Sequence, residues 1–202
     1  MAGRQNGDSL EGHEDNAPIL LTAEQVRTVL PSNNSLPKGW HNGGRGDDVE
    51  VGEKAASSCA IDTGTSCAGL TAHALRMVEG PQTVVEMQEG QDGQDVFIDV
   101  YAFDTAENAA VAIKGIVAKA HRVPAGYETP KPLKISAGAE ETDAVFGERA
   151  DEYSTEVMMR IGGVVVHLKG YNLKNTNVMQ PLAKLQIDRI VKTAKGKNPD
   201  AG

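Results

Sequence analysis

One stretch, Asp95 to Arg122, constrains the fold more than any other. It reads DVFIDVYAFDTAENAAVAIKGIVAKAHR. Over its first nine residues the side chains alternate. Val96, Ile98, Val100 and Ala102 share one face, and Phe97, Asp99, Tyr101 and Phe103 share the other. A period of two is the mark of a strand with one aliphatic and one mixed face. Asp104-Thr105-Ala106-Glu107 then has the Asp-x-x-Glu form of a helix start, and Ala109, Ile113, Ile116, Val117 and Ala120 follow at helical spacing. A strand running directly into an amphipathic helix is the unit on which the other strands and helices are expected to pack.

The same pattern recurs. Tyr153 to Ile161 alternates, Gly162-Gly163 makes a tight turn, and Val164, Val166 and Leu168 point inward on the return strand. A final helix opens at Pro181 and buries Leu182, Ala183, Ile187, Ile190, Val191 and Ala194. Thr83 to Glu89, with a turn at Asp92-Gly93, is read as the strand that precedes the central one; Gly69 to Val78 is also read as strand. The expected architecture is therefore two ββα-like halves. They build one antiparallel sheet, with helices packed mainly on one face.

Upstream, Thr22-Ala23-Glu24-Gln25 is a capping box, with Leu21 and Val26 as its staple and Val26, Val29 and Leu30 as the buried stripe. Residues Ser32 to Ser58 read as loop, and Trp40 within it as a plug. Residues 1–17 are polar and read as a disordered tether, 18–195 as a single domain, and 196–202 as a flexible tail.

The chain has 202 residues and a net charge of −8. That balance argues against nucleic acid as a partner, which requires clustered Lys and Arg. No run approaches the roughly 20 apolar residues of a membrane span. No signal peptide is visible at Met1, so either the chain stays in the cytoplasm or an export signal once preceded it. Cys59 and Cys67, the two cysteines, sit in a Ser/Gly/Thr-rich stretch. Free thiols and a local disulfide both remain open; the disulfide is the expectation, because exposed thiols are reactive.

No nucleophile elbow, phosphate-binding loop, dinucleotide fingerprint or zinc-protease motif occurs. The expectation is no catalytic residue, no metal site and no cofactor. What stands out is the mixed sheet face. Glu86, Gln88, Phe97, Asp99, Tyr101, Phe103, Arg160, His167, Lys169 and Tyr171 would gather there, with His73 facing His167 across the sheet. A solvated sheet face is the ordinary reading of such a set. A binding surface is the other, and Asp99, Tyr101, Arg160, His167 and Tyr171 are its candidate residues.

This order resembles the extracytoplasmic sensor domain of the PknH-type Ser/Thr kinases of actinobacteria and its stand-alone lipoprotein relatives. The residues that carry the resemblance are Leu20-Leu21-Thr22 with its helix, the cysteine stretch, Val100 to Ala109, and Arg160 to Val166. The resemblance implies an α+β sandwich with a cleft and ligand sensing without catalysis. It also implies an exported domain, secreted or held to the membrane only through a lipid anchor absent from this chain. The family's two disulfides are reduced here to one. The expected function is thus a non-catalytic sensor-like domain that binds a small molecule or cell-envelope component. An envelope structural or protein-interaction domain without a small ligand is the alternative, and an enzyme with an unrecognised site ranks third.

Overall fold

In the computed structural model, the described residues are 17–44, 48–64, 66–81, 94–123, 128–149, 152–173 and 176–201. The helices are α1 (Ala23–Thr28), α2 (Gly52–Thr63), α3 (Ala106–Ala120) and α4 (Met179–Ala194). The strands are β1 (His41–Asn42), β2 (Val49–Glu50), β3 (Leu70–Glu79), β4 (Asp95–Phe103), β5 (Lys131–Pro132), β6 (Glu141–Arg149), β7 (Glu152–Ile161) and β8 (Val164–Tyr171). They form one eight-stranded sheet of order β1-β3-β4-β8-β7-β6-β5, with β2 also pairing β3, and every pairing is antiparallel.

The α+β class and the two ββα units are present as β3-β4-α3 and β7-β8-α4, joined where β4 pairs β8. The strand ahead of β4 is Leu70–Glu79. The strand expected at Thr83 to Glu89, with Glu86 and Gln88 and the turn at Asp92-Gly93, lies outside the described residues, as do residues 1–16.

The helices divide between the two faces. Val96, Ile98, Val100 and Ala102 pack with Val157, Met159, Val166 and Leu168 beneath α1 and α4. This is the aliphatic face, and alternation named its residues. The other face also carries helices. Tyr101, Phe103, Met158 and Val165 take the stripe Ala109, Ala112, Ile113 and Ile116 of α3, together with Cys59 of α2. Half of the mixed face is apolar enough to bury a helix, so it is a second core and not only a solvated surface.

Local signals account for most boundaries. Thr22 and Gln25 form the expected reciprocal cap of α1. Thr105, one residue later than the sequence suggested, caps α3 by accepting from the Asn108 amide. Helix α4 begins at Met179, two residues before Pro181. Gly162 has a φ of 57°, and a Cβ there would stand 2.4 Å from the Ile19 carbonyl oxygen. Glycine is therefore required both for the turn and for the approach of the N-terminal segment, which accepts the Gly163 amide at 2.7 Å. Trp40 is buried against Gly80, in keeping with a plug.

One expectation changes. Part of the stretch read as loop is α2, whose buried positions Ala55, Cys59 and Thr63 recur at intervals of four. Their side chains are too small to make a clear hydrophobic stripe. Residues after α4 turn back onto the body. Buried Arg189 donates to the carbonyls of Thr28, Val29 and Leu30 at the end of α1, and its other arm meets Asp200 at 2.6 Å. A cation on the last carbonyls of a helix satisfies its orphan acceptors and its dipole.

Candidate functional site: a buried charge cluster beneath α2

All five candidate residues lie on the mixed face, and three of them, Asp99, Tyr101 and His167, come together at its centre. Asp99 of β4 lies between His73 of β3, two positions along in the pairing, and His167 of β8, its direct cross-strand partner. The two histidines thus flank one carboxylate. His73 faces carboxylates with both ring nitrogens: Nε2 is 2.8 Å from Asp99 and Nδ1 is 3.2 Å from Glu50 of β2. Two acceptors require two N–H donors, so this geometry selects the imidazolium. Burial alone would lower the His73 pKa, but Asp99 and Glu50 outweigh it and raise the value above its ordinary 6.5. The ring also stacks on Tyr101 with centroids 4.5 Å apart.

Lys169 of β8 is the second cation. Its Nζ sits 2.9 Å from Asp99 and 3.3 Å from Asp62 of α2. Burial opposes its charge, yet the two carboxylates prevail and push its pKa up. Asp99 is only 2 % exposed; desolvation would raise its pKa, and His73 and Lys169 overcome it and hold the group ionised. Tyr101 donates to Asp62, and burial together with Asp99 and Asp62 drives the phenol pKa upward, keeping it neutral. Glu156 of β7 accepts from His167 at 2.7 Å. Glu50 is held at about 2, chiefly by the Ser58 hydroxyl of α2, with Lys54 and His73 adding to it against a smaller desolvation cost.

The cluster is graded in exposure. Tyr101 and Asp99 form its closed end. Lys169 and Glu156 are partly open, with side-chain exposures of 23 % and 31 %. Beyond them lies a shelf where Tyr171, 47 % exposed, meets Phe97 edge to face at 5.7 Å. Tyr171 is therefore at the mouth of the same cluster. Arg160 is not part of it. It stands on the row of Tyr101 but two strands away, and its guanidinium is taken by Glu140 and Glu141, each at 2.7 Å, and by the Gly162 carbonyl. Those two glutamates line a groove of about 560 Å³ between α3 and β6, floored by Ile113 and Val117.

Sequence reasoning missed Asp62 and Glu50, the two acids that close the cluster. Both lie around α2, which was read as loop. The available signal was the i, i+4 pair Ser58 and Asp62 on one face of a helix ended by Gly64, whose φ is 72°. The expected disulfide is present between Cys59 and Cys67 and ties α2 to the start of β3. Among the described residues no group of three or more His, Cys, Asp and Glu side chains is arranged to hold a metal ion, and no helix is long and apolar enough to cross a membrane.

No protein-family model matches the chain, and no curated protein matches it. Among solved structures, the chain is similar to the crystal structure of the extracellular domain of PknH from Mycobacterium tuberculosis. The identity is 15 %, the TM-score is 0.56, and the match covers 88 % of this chain and 98 % of that one. At that identity the likeness is one of fold; in this chain, among the described residues, that fold is an antiparallel eight-stranded sheet with four helices packed against it and one disulfide.

Proposed function

We propose that this chain is an exported, non-catalytic sensor-like domain that binds a small molecule or cell-envelope component at the mouth of the charge cluster. The observation that carries the reading is the cluster itself. Two cations and at least two carboxylates are withdrawn from water between a sheet and a helix. Such an arrangement contributes little net stability compared with apolar side chains of the same size, so its retention points to use of the charges. Lys169, Glu156 and Tyr171 are the groups that a ligand reaches first. The likeness to an extracellular domain and the disulfide support an extracytoplasmic setting.

The test is a nuclear magnetic resonance screen of the labelled protein against a metabolite library and solubilised envelope fragments. Binding is expected to shift the amides of Lys169 to Tyr171 and to be weakened in Tyr171→Ala, with little change in melting temperature. Shifts confined to α3 and to residues 140–143 would move the site to the groove beside Arg160. No shift with any probe would favour the protein-interaction reading instead.

A further inference from the structure

We propose that α2 is a cover over the charge cluster and that reduction of the Cys59–Cys67 disulfide releases it. The inference concerns regulation of the site proposed above and rests on that reading for its purpose, though not for its test.

Helix α2 is held to the body in an unusual way. Its buried side chains are Ala55, Cys59 and Thr63. By contrast, α4 buries Met179, Leu182, Ile187 and Ile190. Side chains as small as those of α2 remove little apolar area from water, and hydrophobic stabilisation scales with that area. Much of the remaining attachment is polar. Asp62 reaches Tyr101 and Lys169, Lys119 of α3 donates to the Ile61 carbonyl at 2.6 Å, and Ser58 and Lys54 reach Glu50. Glu50 belongs to the two-residue strand just ahead of α2, so its links to Ser58 and Lys54 travel with the helix. Besides the backbone that runs from Thr63 to Leu70, the disulfide is a covalent tie that fixes the middle of the helix to residue 67, just ahead of β3.

The bond is placed for exchange. Cys59 is fully buried, while Cys67 is half-buried at the head of β3. A thiolate of a dithiol reductant attacks the Cys67 sulfur. The disulfide breaks, and Cys59 leaves as a thiolate that takes a proton. The reductant's second thiol then displaces Cys67, which is protonated in turn. The protein gains two electrons and two protons, and the dithiol becomes a disulfide. Once α2 lifts, Lys169 loses Asp62 and keeps Asp99. Tyr101 loses its acceptor. Both become accessible from the shelf, and the cluster changes from a doubly countered cation to a singly countered one.

The experiment is hydrogen–deuterium exchange by mass spectrometry on the whole chain, oxidised and fully reduced with dithiothreitol, with Cys59→Ser/Cys67→Ser as a permanent open form. Complete reduction is verified by the two-dalton gain. Exchange over residues 52–63 is expected to rise at least about tenfold, while 164–171 and 179–194 keep their protection, as befits a local opening. Tyrosine nitration supplies a second readout: Tyr171 reacts in both states, and Tyr101 only after reduction. Unchanged protection of 52–63 after complete reduction would overturn the proposal. So would an equal loss of protection in every segment, which would make the disulfide a staple of the whole fold. Neither readout needs a ligand, so a failed ligand screen leaves this result standing, and a failed release leaves the binding reading standing.

Discussion

The two faces of the sheet are built from the same strands by the same alternation, yet they are held in opposite ways. The aliphatic face is closed by side chains such as Val100, Leu168, Ile187 and Ile190, all buried. Its cohesion is area removed from water, which is non-directional and tolerant. On the mixed face a modest apolar patch under α3 gives way to His73, Asp99 and Lys169, and a thinly anchored α2 lies over them. Cohesion there depends on each partner being present. The contrast suggests a division of labour. One face supplies the folding free energy, which lets the other hold charges in a geometry of low net stability.

Single substitutions should expose that difference most strongly at Asp99. Asp99→Ala strips the nearest carboxylate from both His73 and Lys169 and leaves buried charge uncompensated. The expected loss is about 4 kcal/mol by urea unfolding. On the aliphatic face, Leu168→Ala removes a larger side chain yet should cost somewhat less, about 3 kcal/mol, because the surrounding aliphatics relax into the cavity. The comparison sharpens when the charges go together. The triple variant Asp99→Leu/His73→Phe/Lys169→Met should keep stability close to wild type while abolishing binding at the shelf. A triple variant as unstable as Asp99→Ala would show that the cluster is structural.

Next in size is the disulfide. Closing the 59–67 loop would contribute about 2–3 kcal/mol if both ends stayed docked. With α2 released in the folded state, however, the freed loop is gained on both sides, so Cys59→Ser/Cys67→Ser should lower global stability by only about 0–1 kcal/mol, measured by the same urea titration. A loss well above that range would mean that α2 holds the aliphatic face as well, and the two faces would no longer be separable.

How much of this was legible in the sequence follows the same division. Alternation in β4, β7 and β8 identified the aliphatic face residue by residue, because a strand with one fully apolar side has only one way to bury it. It also set Asp99, Tyr101 and His167 on a common face. It did not reveal α3 lying over Tyr101 and Phe103, since a half-apolar face accepts either water or a helix. Helix α2 escaped notice for a related reason: its stripe of Ala55, Cys59 and Thr63 is small, and a disulfide and polar links do the work that large apolar side chains do elsewhere. Asp62 and Glu50 were hidden with it. Arg160 was placed on the correct face, but its carboxylate partners come from Glu140 and Glu141, whose position depends on the edge connection and not on periodicity.

The pH response should divide the two faces again. His73 has a raised folded-state pKa. Its contribution is therefore fully present below the unfolded value near 6.5 and is lost as pH rises through the folded value. Glu50 is lowered to about 2, so its contribution is present above its ordinary value of 4.5 and is lost as pH falls toward 2. The Glu50 side chain is 19 % exposed, so solvent screens part of its contribution. Subtracting the stability–pH curve of His73→Gln from that of wild type should leave an alkaline decline that Leu168→Ala does not alter. A flat difference would mean that the clamp of Glu50 and Asp99 on His73 carries no linkage.

The smallest effect on stability is expected where binding is expected to suffer most. Tyr171 is exposed and touches Phe97 only by its edge. Tyr171→Ala gives up one aromatic contact at a surface position, an expected cost of about 0.5–1 kcal/mol. Alanine at Met159, buried on the aliphatic face, should cost several times more. If the shelf is the mouth of the site, the ranking reverses for ligand: Tyr171→Ala weakens binding at Lys169 and Met159→Ala leaves the dissociation constant unchanged in the fraction that is folded. Titration of both variants with whatever probe shifts the Lys169 amide decides the matter. Equal weakening in both would show that binding follows global stability, and the separation of a folding face from a binding face would fail.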